Sequence, residues 1–209
     1  TLLHQKGIST TSCFDEMNLS LPGVIESVHL AYLVAGSQIL QTNTFGANRF
    51  KLEQHGLGSE VTAINTAGVA IARQACAKAA KSALIAGDVG PLGVRLTPFG
   101  RVQLLEAREA FAQQISALDQ AGVDLIIIET MTDLYETVEA ITAARQVAPD
   151  LPVVASMTYT RDNRTLLGDS PAKVARRLNE AGADIIGVNC SGGPNQILNI
   201  LRQMREALP

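Results

Sequence analysis

Five short stretches end on residue types that could do chemistry: Asn43-Thr44, Asp88, Glu129-Thr130, Thr158 and Asn189-Cys190. Cys190 is a thiol, which once ionised is a nucleophile or a soft metal ligand. It opens into Ser191-Gly192-Gly193-Pro194, a turn in which backbone can come close to a ligand. The alternative is a small buried hydrophobe, common for cysteine. Glu129 follows Leu125-Ile126-Ile127-Ile128, and a carboxylate placed there is costly to bury unless paired. It suits a holder of a substrate ammonium or a base; a rim salt bridge is the alternative. Asn43, Thr44 and Asn189 stand at the same place after their own apolar runs, able to line a pocket or to make rim hydrogen bonds. Cys13, Cys76, His4, His29 and His55 lie away from these ends and are expected to be structural or incidental.

An internal repeat positions these residues. AGSQILQTNT (35–44), AGVDLIIIET (121–130) and AGADIIGVNC (181–190) each carry an Ala-Gly turn, a polar residue, an apolar run and a polar pair. Each follows a helical pattern, over 22–34, 106–120 and 171–180, with glycine where a helix C-terminus needs it. The short continuous apolar runs suit parallel strands buried on both faces. Two more runs, 83–88 and 153–158, follow helical patterns over 61–81 and 134–147, and a last helix is expected over 195–207. Strands are thus expected at 37–44, 83–88, 125–130, 153–158 and 184–190. This alternation predicts an α/β parallel sheet with right-handed crossovers. No G-x-G-x-x-G follows the first strand, which weakens a dinucleotide-binding sheet. The repeated strands are the first, third and fifth, as the alternating layers of a (β/α)8 barrel favour. A barrel needs eight strands; five are legible, so either strands are misread or the chain belongs to a larger polypeptide. The Gly/Pro-rich segment 88–100 suits a substrate lid or a packed loop equally.

The 209 residues are 46% hydrophobic and 18% charged, with a net charge of −3. That balance and the scattered basic residues argue against a nucleic-acid partner. No stretch of about 18 apolar residues predicts a membrane span. Three cysteines, widely spaced, do not suit a disulfide framework and point to the cytoplasm.

Together QTNTFGANR (41–49), GDVGPLG (87–93), IETMTDLYE (128–136) and GVNCSGGP (187–194) resemble, in order, the homocysteine S-methyltransferase domain. The likeness is nearest to the versions in methionine synthases and in bacterial fusions with methylenetetrahydrofolate reductase. The resemblance implies a (β/α)8 TIM barrel of which residues 1–209 carry family strands two to six, incomplete at both ends. It implies zinc-dependent methyl transfer to the thiol of homocysteine, giving methionine. Cys190 would be the catalytic zinc ligand of the G-V-N-C motif, and the family's further Cys-Cys pair has no match here. Glu129 would hold the substrate amino group, with Asn43, Thr44 and Asn189 around it. Thr1 would end the turn that holds the substrate carboxylate. The methyl donor would be methyltetrahydrofolate, methylcobalamin or S-methylmethionine, and fused reductase, folate or cobalamin domains would be partners. Two alternatives remain: another barrel enzyme binding phosphate at 191–194, and an inactive barrel fragment.

Overall fold

The computed structural model describes residues 2–5, 7–9 and 11–208; the expectations placed on Thr1 and on the His4 side chain fall outside them. Its five parallel strands form one sheet, in the order β1 (Ile39–Gln41), β2 (Leu84–Val89), β3 (Leu125–Met131), β4 (Val153–Met157) and β5 (Ile185–Val188). A doubly wound sheet reverses its strand order at a switch point; this one never does, as a barrel requires. Crossovers of a single hand place every connecting helix on one face. The helices α3 (Pro22–Val34), α5 (Val61–Ala79), α6 (Leu104–Gln120), α7 (Leu134–Val147), α8 (Pro171–Ala181) and α9 (Pro194–Glu206) each pack against the next. The short helices α1 (Leu2–Gln5), α2 (Met17–Ser20) and α4 (Arg49–Glu53) are too brief for a periodic pattern to reveal.

Period two along each strand decides which face a side chain takes. Leu40, Ile85, Ile126, Ile128, Val153, Ala155 and Met157 face the helices and are buried. The opposite face is apolar too but open, with Ile39 at 47%, Leu84 at 51% and Ile185 at 57% exposure. Its carboxyl end holds Gln41, Asp88 and Glu129.

The repeat has a physical basis at each position. Gly36, Gly122 and Gly182 take positive φ of 101°, 88° and 98°, the left-handed turn that ends a helix at little cost only for glycine. The polar residue that follows pins the neighbouring strand. Asp124 accepts the Ile85 N–H at 2.6 Å and Asp184 accepts the Val153 N–H at 2.7 Å. Arg73 and Arg145 pair with these two acids at 2.9 Å and 2.5 Å. Helix starts are equally legible: Asp133 caps α7 through the Tyr135 and Glu136 N–H groups, and Ser170 caps α8 before Pro171.

One glycine is a packing requirement. A Cβ on Gly68 of α5 would lie 2.8 Å from both Asn18 Nδ2 and Thr44 Cγ2, and Asn18 and Thr44 are buried. Gly68→Ala should therefore destabilise the fold by about 1–3 kcal/mol, seen as a lower urea midpoint at unchanged slope.

The segment 90–103 is a packed loop. Leu92 and Leu96 are buried, and the Leu92 N–H donates to Glu136 Oε1 at 2.7 Å. Burial pushes the Glu136 carboxyl up from 4.5 to about 7, outweighing the Leu92 N–H, which favours the charged form; the Asp133 charge adds to the rise. The folded protein thus keeps a proton that the unfolded chain releases near pH 4.5. The stabilisation is complete below that pH and is lost as pH rises through about 7, a fall of about 3 kcal/mol. Glu136→Gln keeps an acceptor for Leu92 and should flatten this slope, as denaturant midpoints at about pH 5 and about pH 7.5 will show. Among the described residues no helix is long and apolar enough to cross a membrane.

Candidate active site

The expected site residues fall into two groups. Glu129, Asn189 and Cys190 come together; Asn43 and Thr44 do not join them.

A β-bulge makes the first group possible. Between Ile128 and Met131, β3 carries one more residue than β4 carries between Ala155 and Met157. Thr130 sits in the bulge at φ 59°, a costly value for a β-branched residue. The Asn189 amide, at the end of β5, reaches over β4 to hold it. Asn189 Oδ1 accepts the Thr130 N–H at 2.9 Å, and Asn189 Nδ2 lies 2.9 Å from Thr130 Oγ1 and 2.5 Å from Glu129 Oε2. The other Glu129 oxygen accepts Gln41 Nε2 at 3.3 Å. Cys190, at φ 47°, is exposed and unbridged. Its Sγ lies 3.6 Å from Thr130 Oγ1 and 3.7 Å from Asn189 Nδ2. The turn beneath is fixed by Ser191, whose hydroxyl accepts the Tyr159 N–H at 2.9 Å and donates to the Asn189 carbonyl at 3.1 Å.

The result is a half-buried carboxylate with both oxygens fixed by neutral amides, next to an open thiol. Neutral donors orient the carboxylate without cancelling its charge, so it remains available to a cation.

Thr44 is wholly buried, which corrects the expectation that it lines the pocket. Its hydroxyl donates to the Asp88 carbonyl at 2.8 Å and accepts from Thr42. It acts from behind, fixing the β2 end. Asn43 donates to the Phe14 carbonyl at 2.6 Å and to Asn18 Oδ1 at 3.1 Å. It faces a groove of about 410 Å³ along β1, in which neither Glu129 nor Cys190 takes part. Three groups were not assigned roles from the sequence. Gln41 is two residues from Asn43, so the period-two rule could have found it. Asp88 is only 7% exposed, and its carboxyl is held well above the usual carboxylate range by burial, then by the charges of Glu129 and Asp15. Thr130 depends on the bulge, which has no sequence signal here.

No three His, Cys, Asp or Glu side chains among the described residues converge as a metal site. Cys13 and Cys76 pack against apolar clusters elsewhere. The described residues thus provide one thiol, which does not by itself fit a zinc ion held by three thiolates.

A singly wound parallel β/α sheet with polar groups gathered at its carboxyl ends places the chain in the barrel class of α/β proteins. A family model for homocysteine S-methyltransferase matches residues 1–209, and the chain belongs to that family. It is 34% identical over 191 residues to mouse betaine–homocysteine S-methyltransferase 1, covering 90% of this chain and 45% of that protein. It is 28% identical over 199 residues to the methionine synthase of Mycobacterium tuberculosis, covering 92% of this chain and 17% of that protein. The chain therefore spans less than half of each of these relatives. The metallated form of the Escherichia coli homocysteine methyltransferase MmuM superposes with a TM-score of 0.84 at 23% identity, covering 99% of this chain and 76% of that one. That likeness supports the barrel architecture.

Proposed function

We infer that this chain is the homocysteine-binding part of a methyltransferase that converts homocysteine to methionine. The carrying observation is the Glu129–Asn189–Cys190 constellation: an amide-fixed carboxylate beside an exposed thiol, joined through one asparagine. An amino-acid thiol needs both a partner for its ammonium and a place for its sulfur. Glu129 is the ammonium partner, and Gln41 and Asn189 hold its two oxygens in place. Cys190 marks the sulfur end. A free thiol with pKa near 8.5 is only about 3% ionised at pH 7, and a zinc ion at Cys190 would supply the missing ionisation. The remaining zinc ligands would come from outside the described residues. The likeness to methionine synthases is the ground for a folate- or cobalamin-linked methyl donor, for fused donor domains as partners and for a cytoplasmic location. The likeness to betaine–homocysteine S-methyltransferase 1 makes betaine a further candidate donor.

A phosphate-binding role for 191–194 has less support, because the Ser191 hydroxyl is already engaged by Tyr159 and Asn189.

The test supplies the natural polypeptide that carries this sequence with zinc, homocysteine and, in turn, methyltetrahydrofolate, methylcobalamin, S-methylmethionine and betaine. Methionine formed from one donor is the expected outcome; none from any of them rejects the reading. The 209-residue chain alone should bind zinc more weakly than about 1 µM, since one thiolate leaves most of the coordination to water. Competition against a chromophoric chelator measures this, and tighter binding would show that other residues complete the site.

A further inference from the structure

Asp88 has no part in the reading above, and its surroundings are unusual. It shares a face of the sheet with Glu129: the β2–β3 ladder sets Asp88 opposite Ile127, so Glu129 is the next residue of β3 on that face, and the two carboxyls interact. Its side chain is nine-tenths buried, and Oδ1 has no hydrogen-bond partner. Its backbone is locked: the N–H donates to Thr42 Oγ1 at 3.1 Å, and the carbonyl accepts from Thr44 and Gln114. The backbone that carries the carboxyl is therefore fixed beside Glu129.

Two carboxylates in such contact, one of them out of water, do not both ionise. The charged groups around Asp88 do not change this. Asp15 adds a like charge from the turn before α2, and Glu129 adds another from β3. Lys51 of α4 opposes them, but its ammonium lies over the Phe45 ring at 4.5 Å and is also shared with Asp15 and Glu136. From α6 the neutral Gln114 reaches the Asp88 carbonyl at 3.4 Å, and from α5 the neutral Asn65 binds the Ala47 and Val61 carbonyls.

We propose that Asp88 is the positioning partner of Glu129, and that the pair carries one proton when no amine is bound and releases it when a primary ammonium arrives. With the site empty, the Asp88 O–H donates to Glu129 and completes the set of donors begun by Gln41 and Asn189. The incoming ammonium takes over that hydrogen bond and compensates the second negative charge. The Asp88 O–H bond then breaks, its electron pair stays on the carboxylate and the proton passes to solvent. The site is thereby selective for a full positive charge: a neutral group of the same shape cannot draw the proton out. This rests on the reading of Glu129 as the ammonium holder.

The test is proton counting by calorimetry. Homocysteine is titrated into the natural polypeptide, as isolated, near pH 7 in two buffers of different ionisation enthalpy. The thiol proton is common to wild type and Asp88→Asn, so the difference between them isolates the pair. Wild type should release at least about half a proton more than Asp88→Asn, and the variant should still bind, because its amide N–H can donate to Glu129. Equal proton counts overturn the inference, as does loss of homocysteine binding in an Asp88→Asn variant that folds. Should that variant not fold, wild type titrated with 4-sulfanylbutanoate, which has the thiol but no amine, gives the same comparison. An equal proton count for the two ligands overturns the inference while homocysteine still binds more tightly. Equal affinity for the two ligands instead rejects the ammonium role of Glu129 itself.

Discussion

Glu129→Gln should lower kcat/KM for homocysteine by about 100-fold, mainly through KM. The substitution keeps the shape of the side chain and removes its charge. A charge-assisted contact to an ammonium in a half-buried setting is worth about 2–4 kcal/mol when one partner is deleted, and about 1.4 kcal/mol is tenfold. The loss has a second source. The two amides that now donate to Glu129, from Gln41 and Asn189, would meet an amide with a single acceptor oxygen. One of them must turn away. Because Asn189 also holds Thr130, part of the effect should spread to the position of Cys190. The decisive control is a substrate with no amine: with 4-sulfanylbutanoate the difference between wild type and Glu129→Gln should shrink to the part that spreads to Cys190, well under the loss seen with homocysteine. A loss of the same size for both substrates would mean that Glu129 shapes the site without touching the ammonium.

Cys190→Ser should reduce methionine formation by at least about 1,000-fold, with a parallel loss of bound zinc. A serine hydroxyl is far harder to ionise than a thiol and is a poor ligand for a soft site. Even outer-shell changes around metal ligands cost 10–100-fold, so loss of a ligand should cost more. Stability should barely move, since Cys190 is exposed and its contacts are two long sulfur hydrogen bonds. Metal content and the thermal midpoint, measured on the same sample, separate these effects. Full zinc occupancy with full activity in Cys190→Ser would remove Cys190 from the site.

The architecture was legible because it rests on repeated local rules. The Ala-Gly turns, the apolar runs and the helix caps each have a short-range cause, and the structure places all five strands within a few residues of expectation. The ends were less legible. The strand expected over 37–44 leaves its ladder after Gln41, because Thr42 and Thr44 use their hydroxyls to fix Asp88. The same competition hid the role of Thr44: a polar residue at a strand end can face a pocket or brace its neighbour, and sequence does not distinguish them. Glu129, Asn189 and Cys190 were legible because they stand at the ends of two copies of one repeat. Gln41 was not singled out and Asp88 was noted only as a strand end, since their importance lies in what stands beside them in space: Glu129 is two strands and about 90 residues from Gln41, and one strand and about 40 residues from Asp88.

The bulge at Thr130 has a consequence for counting. Along β3 the even-numbered residues Ile126 and Ile128 face the helices, yet beyond the bulge it is Met131 that is buried. One inserted residue has changed the strand's parity. An odd-numbered acid and an even-numbered threonine thereby reach the same asparagine, which a regular strand forbids. Removing Thr130 would restore perfect alternation, keep every apolar residue on its proper side and dismantle the site. In this segment the residue that spoils the pattern is the one that joins β3 to β5.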